Sequence, residues 1–247
     1  MSNPGKDKKD PVKQLQEKPG KNEFLIVGIG ASAGGIQALH EFFKNVPPAS
    51  GMAYVVILHL SPDHDSSLAQ VLQQVTKIPV TQVTEKVRIK PNQIYVVPPN
   101  RHLTMKDSHI IVSPNTLVED RRAPVDLFFR TLADEMGPRA VCVVLSGTGA
   151  NGSMGLKRIK ERGGTTFVQN PREAEFNEMP RHSIATDLVD EVLPVADIPA
   201  KIMAYKNSMG TVEIAEEAEK RPEDQQQALR GIFTLLRTKT GHDFSNY

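Results

Sequence analysis

The stretch FLIVGIGASAGGIQALHEFF, from Phe24 to Phe43, decides how this chain is interpreted. An apolar run leads into a cluster of glycine, alanine and serine, and residues with helical apolar spacing follow. This order predicts a strand, a tight turn and a helix. The small residues of such a turn either admit a phosphate group or expose the hydroxyl of Ser32 as a nucleophile, and both alternatives agree with the local sequence.

The composition is that of a soluble globular protein without a strong electrostatic field. Of 247 residues, 39% are hydrophobic and 24% charged, and the formal net charge is +1. The balanced charge, the 5% of aromatic residues and the absence of tryptophan argue against a nucleic-acid partner. The single cysteine, Cys142, lies in the apolar run AVCVVLSG, so we expect a buried thiol. Without a signal-like or membrane-spanning run, we expect a cytoplasmic protein with no direct membrane insertion.

The order of apolar runs predicts an α/β fold with a doubly wound, mostly parallel sheet flanked by helices. The runs FLIVGI, AYVVILHL, AVCVVLSG and TTFVQ alternate with helical patterns and lack polar residues at every second position. Strands of this kind are covered by helices on both faces. Between Val80 and Ser113 the pattern changes to short, turn-rich strands, NQIYVVPPNRHLTM and SHIIVS, which predict a β-hairpin insertion.

Changes in composition predict the domain organisation. Residues 1–22 are rich in lysine, proline and glycine and should form a disordered basic tail. Residues 23–207 carry the α/β pattern, and 208–227 form an acidic linker. Residues 228–247 then place an apolar stripe on one helical face without a visible partner. We therefore expect the chain to stop just inside a second domain.

A dinucleotide-binding interpretation rests on three small residues. Gly28, Gly30 and Ala33 match the pattern G-x-G-x-x-G/A between a strand and a helix. Such folds also need an acidic residue at the end of the second strand to bind the ribose. His59 stands at that place, so this interpretation loses its most specific element.

A nucleophile turn is the other interpretation, because Gly30, Ser32 and Gly34 match G-x-S-x-G. A serine that only caps the helix fits the same letters. His59 and the turn LSGTGANG, residues 145–152, each follow a predicted parallel strand, so they should share one edge of the sheet with Ser32. The order serine, histidine, third turn differs from the α/β-hydrolases, whose histidine comes last.

At this point the sequence resembles a known family. The motifs GIGASAGG, LHLSPDH, YVVPPNRHL, RRAPVDLFF, VVLSGTGANGSMGLKRIKERGG and MPRHSI are similar to those of the catalytic domain of the protein-glutamate methylesterases of bacterial chemotaxis. The resemblance covers Glu23 to Asn207. The terminal LRGIFTLLRTKTGHDFSNY resembles the start of the chemotaxis receptor methyltransferase domain. Methylesterase–methyltransferase hybrids without a receiver domain have this layout, and the resemblance implies a fragment of one.

The resemblance implies a function and a set of residue roles. The family hydrolyses glutamyl methyl esters on methylated chemoreceptors and deamidates receptor glutamines. By position, Ser32 is the nucleophile and His59 the general base, while the backbone N–H groups of Ala33 and Thr148 form the oxyanion hole. A methyltransferase domain in the same polypeptide is an expected partner. We expect no cofactor, and since the histidines and the cysteine lack metal-ligand spacing, no metal.

One position departs from the family pattern. The third member of the family's triad is the aspartate of G-x-G-x-D-G, and here Asn151 takes its place. Asparagine has no charge to stabilise an imidazolium and its amide can flip, although its oxygen can still accept from the imidazole. Weak natural activity, a non-catalytic module that docks on receptor or methyltransferase, and deliberate inactivation all remain open. Asp63, Asp65 and Asp126 are not expected to substitute: helix capping or a structural role fits them better.

Two further residues are candidates for substrate contact. Arg181, in MPRHSI, is placed to meet an anionic receptor helix, although a surface ion pair fits equally well. His102, in PPNRHL, is expected near the same edge of the sheet, although a histidine with only a turn role fits as well.

Overall fold

A computed structural model describes residues 24–58, 68–115 and 123–212. The chain divides after Ala200 into two compact units, Met1–Ala200 and Lys201–Tyr247. His59, Asp63 and Asp65 lie outside the described residues, as do the predicted basic tail and nearly all of the predicted linker and second domain. The predicted domain boundaries therefore stay predictions.

The described residues form strands and helices in the alternation that the sequence predicts. The strands are β1 (Ile26–Ala31), β2 (Ala53–Leu58), β3 (Val80–Gln82), β4 (Val87–Arg88), β5 (Gln93–Val96), β6 (Arg101–Lys106), β7 (His109–Pro114), β8 (Ala140–Val144), β9 (Thr165–Gln169) and β10 (Glu191–Leu193). The helices are α1 (Gly35–Lys44), α2 (Leu68–Gln73), α3 (Pro124–Met136), α4 (Ser153–Glu161), α5 (Glu178–Ile184) and α6 (Ile198–Val212). Short 3-10 turns cover Gly137–Arg139 and Val195–Asp197.

Within the described residues, seven strands form one parallel sheet in the order β10-β9-β8-β1-β2-β5-β3. Every residue of β1, β2 and β8 is buried, which is why these strands are continuous apolar runs. The predicted doubly wound, mostly parallel sheet is confirmed. The chain runs outward from β1 through β2 and later returns to β8 on the other side of β1. The strand order thus reverses between β1 and β8, and in such sheets ligands bind at the carboxyl ends beside this point.

The predicted hairpin insertion is present but shorter than the segment that suggested it. Strands β6 and β7 form an antiparallel hairpin, and β4 joins them in a three-stranded sheet. Strand β5 instead lies in the parallel sheet between β2 and β3. The hairpin turns at Asp107 and Ser108, whose φ angles of 51° and 61° match a tight type I′ turn.

Helix α3 packs closely on β1 because two strand residues are glycines. A Cβ on Gly30 would overlap the side chain of Val125. One on Gly28 would lie 3.0–3.3 Å from the side chains of Phe128, Phe129 and Leu132. These glycines allow helix α3 to lie directly against the strand. Side chains of α3 fill the space above both glycines, so no phosphate group can bind there, contrary to what the glycine spacing suggested.

Candidate active site

Ser32 directly follows β1 and is held against the turn that follows β8. Its backbone N–H donates to the carbonyl of Ser146 at 3.0 Å. This bond is the next one in the parallel ladder after the bond from Leu145 N–H to the carbonyl of Gly30 at 2.9 Å. The residue is half-buried. Parallel pairing therefore continues past the ends of the two strands and fixes the serine at the point where the strand order reverses.

The helix-cap alternative for Ser32 does not hold. The N-cap of α1 is Gly34, with φ of 68°, and no side chain forms a cap hydrogen bond there. The backbone carbonyl of Ser32, and not its hydroxyl, accepts the N–H of Gly35 at 2.9 Å. The hydroxyl is therefore not used for capping.

Gly147 brings the second turn directly against the serine. A Cβ at this buried glycine would lie 3.0 Å from the Cβ of Ser32 and would overlap the sulfur of Met179. Only glycine permits this approach of backbone to Ser32. The next residues, Thr148 and Gly149, are exposed, so the turn rises from the buried glycine into solvent.

The two backbone N–H groups that were predicted as oxyanion donors lie on these turns. Among residues 24–58, 68–115 and 123–212, no hydrogen bond engages the backbone N–H of Ala33 or of Thr148. Ala33 follows Ser32, whose N–H bonds the carbonyl of Ser146 and so joins the two turns. Thr148 follows Gly147, the residue that lies against Ser32. Backbone N–H groups that no described residue engages, beside a half-buried serine, are suited to stabilising an oxyanion.

Asn151 and Asp126 tie the beginnings of two helices together. The Oδ1 of Asn151, just before α4, accepts the backbone N–H of Asp126 at 3.2 Å in the first turn of α3. The Oδ1 of Asp126 accepts the N–H of Gly155 at 2.6 Å in the first turn of α4. Each side chain thus satisfies an N–H that the other helix cannot bond internally.

The carboxyl of Asp126 belongs to this pair of caps. It is buried, and burial raises its pKa above the ordinary value of an aspartate. Hydrogen bonds from the N–H groups of Gly155, Gly152 and Met154 act in the opposite direction, as does the charge of Arg130. The prediction that Asp126 has a structural role is consistent with this geometry.

The same contact restricts the amide of Asn151. A backbone N–H can only donate, so the group that faces Asp126 must be the carbonyl oxygen of the amide. A flipped amide would oppose two donors and lose the bond. The flip that the uncharged side chain permits in principle is therefore disfavoured, and the oxygen keeps a second lone pair for another donor.

The remaining predicted residues lie at different places. His59, the expected general base, lies outside the described residues. His102 is 9% exposed on β6 in the small antiparallel sheet, with Nδ1 3.1 Å from Asn115 Oδ1. Arg181 is exposed on α5, the helix whose Met179 packs against Gly147. The structure thus brings the helix of Arg181 to the serine turns, while the partner of His102 is Asn115, directly after β7.

Sequence reasoning missed two residues at the turn. The backbone N–H of Gly149 donates to Glu178 Oε2 at 2.7 Å, and His182 Nδ1 lies 2.8 Å from the carbonyl of Gly149. The spacing of Glu178 and His182 places both on one face of α5, which was the available signal. Nothing in the sequence indicated which loop that face would meet.

A cleft of about 360 Å³ lies beside the start of α1. Ser32 is not among its lining residues, which include Gly34, Gln37, Glu41, Gln169, Glu173 and Glu175. Three glutamates make the cleft unsuited to a phosphate, which is a second argument against nucleotide binding.

Within the described residues, no set of three or more acidic, histidine or cysteine side chains is arranged to hold a metal ion. No helix there has the length and hydropathy to cross a membrane.

Comparison with known proteins identifies the class. The crystal structure of the Thermotoga maritima CheB methylesterase catalytic domain superposes with a TM-score of 0.68 at 26% identity, covering 74% of this chain and 98% of that one. The fold is therefore that of a parallel α/β carboxylic ester hydrolase. The sequence profile described as CheB methylesterase matches residues 27–202, and the chain belongs to the CheB methylesterase family.

Curated relatives agree with this assignment. A Leptospira interrogans protein is 35% identical over 176 residues, covering 71% of this chain and 91% of the relative. Relatives from Geobacter metallireducens (31% identity, 83% of this chain) and Burkholderia pseudomallei (34%, 76% of this chain) are named protein-glutamate methylesterase/protein-glutamine glutaminase 1. The chain spans only 57% and 52% of the lengths of these two relatives.

Proposed function

We propose that this chain hydrolyses glutamyl methyl esters on bacterial chemoreceptor-type proteins and deamidates glutamine at the same site. The names of the relatives describe both activities. The observation that carries the proposal is the contact between Ser32 and Gly147, where backbone lies against a half-buried serine whose hydroxyl does not cap the helix. An ester carbonyl bound there would meet a nucleophile and backbone donors together.

In this mechanism Ser32 Oγ attacks the ester carbonyl carbon while His59 takes the hydroxyl proton. The N–H groups of Ala33 and Thr148 stabilise the oxyanion of the tetrahedral intermediate. His59 then protonates the leaving methoxide, and methanol departs from the acyl-enzyme. Water, activated by His59, hydrolyses the acyl-enzyme to a glutamate side chain. With glutamine, ammonia leaves in place of methanol.

Asn151 orients His59 in this scheme without supplying a charge. The bond from Asp126 N–H supports this role, because it holds the amide oxygen as an acceptor. A second lone pair on that oxygen can receive an imidazole N–H. Without a carboxylate the imidazolium is less stabilised, so we propose a slower esterase than one with a full Ser-His-Asp triad.

The second candidate is a catalytically weak or inactive module that docks on the receptor or on a methyltransferase domain of the same polypeptide. The missing charge at Asn151 favours this alternative, because an uncharged amide does not stabilise an imidazolium as a carboxylate does. The C-terminal resemblance to a methyltransferase domain supports a hybrid arrangement, which is part of this proposal. Arg181 is proposed to contact the anionic receptor helix in either case.

Methanol release from a methylated receptor fragment separates the two candidates. An esterase releases methanol with the chain as given, and Ser32→Ala abolishes release while receptor binding by isothermal titration is retained. Ser113→Ala is the matched control, because this serine is half-buried like Ser32 and lies on β7 of the small antiparallel sheet. Binding without release from the given chain would favour the docking module.

A further inference from the structure

The turn Gly147–Gly149 is held by the segment Phe176–His182. Gly147 N–H donates to the carbonyl of Phe176 at 2.9 Å, and Met179 N–H donates to the carbonyl of Gly147 at 3.0 Å. Because a trans peptide is planar, holding the carbonyl of Gly147 also sets the direction of the N–H of Thr148 on the same peptide. That N–H is the proposed oxyanion donor.

Two side chains of α5 fix the peptides that follow. Gly149 N–H donates to Glu178 Oε2 at 2.7 Å. The Nδ1–H of His182 donates to the carbonyl of Gly149 at 2.8 Å, since a carbonyl can only accept. Together with Met179 N–H, they hold a polar group on each of three successive peptides.

The turn has little packing of its own to hold it. Thr148 and Gly149 are exposed, and a Cβ on Gly149 would meet no atom within 4 Å. Gly149 has a φ of 78°, and a glycine exchanges easily between such conformations. Exposed loops with few contacts open at low free energy, so the bonds from α5 are what fixes this one.

We propose that Glu178 and His182 are positioning residues that hold the Thr148 N–H in line for the oxyanion. This inference rests on the proposed esterase function. Neither side chain touches the reacting atoms in this scheme; both act through the backbone of Gly149. A carboxylate near a developing oxyanion opposes it by charge repulsion, so the acceptor oxygen and not the charge of Glu178 is the useful property.

The first test reads the turn itself, independently of activity. Backbone NMR order parameters of Thr148 and Gly149 are measured in the chain, in Glu178→Ala and in His182→Ala. We expect values near ~0.85 in the chain and below ~0.6 in either variant. The matched controls are Glu173→Ala, an exposed glutamate before α5, and His109→Ala, a half-buried histidine whose Nδ1 lies 2.6 Å from the carbonyl oxygen of Asp107. Unchanged order parameters in both variants would overturn the proposal.

The second test reads the catalytic consequence. We expect Glu178→Ala to lower kcat for methanol release by about 10- to 100-fold with KM nearly unchanged, because the displaced donor acts in the transition state. Glu178→Gln keeps the acceptor and should hold kcat at or above that of the chain. Glu178→Asp is one methylene too short and should resemble alanine.

The outcomes separate the two proposals. If the chain releases methanol through Ser32 and Glu178→Ala keeps its kcat, the positioning role is wrong while the esterase stands. A fall in thermal stability without a change in kcat would likewise show a merely structural role. If no Ser32-dependent methanol is released, the esterase is wrong, and the order parameters still decide whether α5 holds the turn.

Discussion

Asn151 shows how one residue serves both folding and the proposed chemistry. Its Oδ1 accepts the N–H of Asp126, which orients the amide and satisfies the start of α3. Aspartate has the same shape and would accept the same bond. In the proposed triad, asparagine in place of aspartate thus keeps the bond to the start of α3 and lacks only the charge that would stabilise an imidazolium.

Asn151→Asp should raise the rate of methanol release by about 10²–10⁴-fold, the inverse of the loss seen when a triad aspartate becomes asparagine. The free energy of unfolding should change by less than about 1 kcal/mol, because the bond to Asp126 N–H is kept. Steady-state kinetics and urea unfolding measure the two quantities. An unchanged rate would mean that Asn151 does not act on the histidine.

Gly147→Ala tests the contact that carries the functional proposal. The new methyl group would overlap Met179 and lie 3.0 Å from the Cβ of Ser32, so the turn must move away from the serine. We expect kcat to fall by about 100-fold or more, since misplacement by about 1 Å is enough. Gly163→Ala is the control for added volume, because a Cβ there makes only ordinary contact with Pro138, outside the serine turns, although its positive φ adds some strain. Equal activity of the two variants would contradict the close-approach argument.

At the scale of elements, α3 and α4 begin as a pair. Asn151 accepts from α3, and Asp126, buried within α3, accepts from Gly155 of α4. Neither helix has a cap from its own N-cap residue, Ala123 or Gly152. The two helices therefore depend on each other for their first turns, and the turn that carries Asn151 leads directly into α4.

Asp126→Ala should lower the free energy of unfolding by about 1–3 kcal/mol, because it leaves buried N–H groups at the start of α4 without an acceptor. The midpoint of urea unfolding measures this change. Glu161→Ala removes an exposed carboxylate from the other end of α4 and should cost less than about 0.5 kcal/mol. Similar midpoints for the two variants would show that the paired caps contribute little.

Asp190 joins α4 to the sheet and should make stability depend on pH. Its carboxylate accepts from Lys160 Nζ at 2.6 Å and from Thr166 N–H at 2.9 Å. Burial alone would raise the pKa of Asp190, but the hydrogen bonds from Lys160 and Thr166 hold it below the ordinary value. A lowered pKa in the folded state means stability that is present above about pH 4 and is lost as the pH falls through the folded pKa.

Asp190→Asn should therefore cost about 1–2 kcal/mol at pH 7, a figure reduced for the partial exposure of the pair. The difference from the unsubstituted chain should shrink as the pH falls below about 4. Urea unfolding at several pH values checks both statements. A difference that stays constant down to pH 2 would contradict the assigned bonds.

At the scale of the whole molecule, topology assembles the site. The strand order reverses between β1 and β8, and the turns after these two strands carry Ser32 and Gly147. Bonds across the reversal, from Ser32 N–H to Ser146 O and from Leu145 N–H to Gly30 O, hold the turns together. The centre of the sheet thus positions the proposed reacting groups, and backbone bonds from Phe176 and Met179 hold the turn of Gly147 from outside the sheet.

The sequence predicted what depends on local patterns. Continuous apolar strands, the turn at Ser32 and the glycine-rich turn before α4 were readable because each is encoded within a few residues. The place of β5 in the parallel sheet was not readable, since it depends on pairing with β2, far away in sequence. The same holds for Glu178, His182 and the amide orientation of Asn151, which depend on tertiary contacts.

Covalent labelling of Ser32 tests the central claim most directly. The chain is incubated with an alkyl fluorophosphonate, which reacts with activated serines, and the adduct is mapped by mass spectrometry. We expect a single adduct on Ser32, slower labelling in Gly147→Ala, faster labelling in Asn151→Asp and none in Ser32→Ala. Failure of Ser32 to react in both the chain and Asn151→Asp, or labelling of another serine at equal rate, would contradict a nucleophile at this turn.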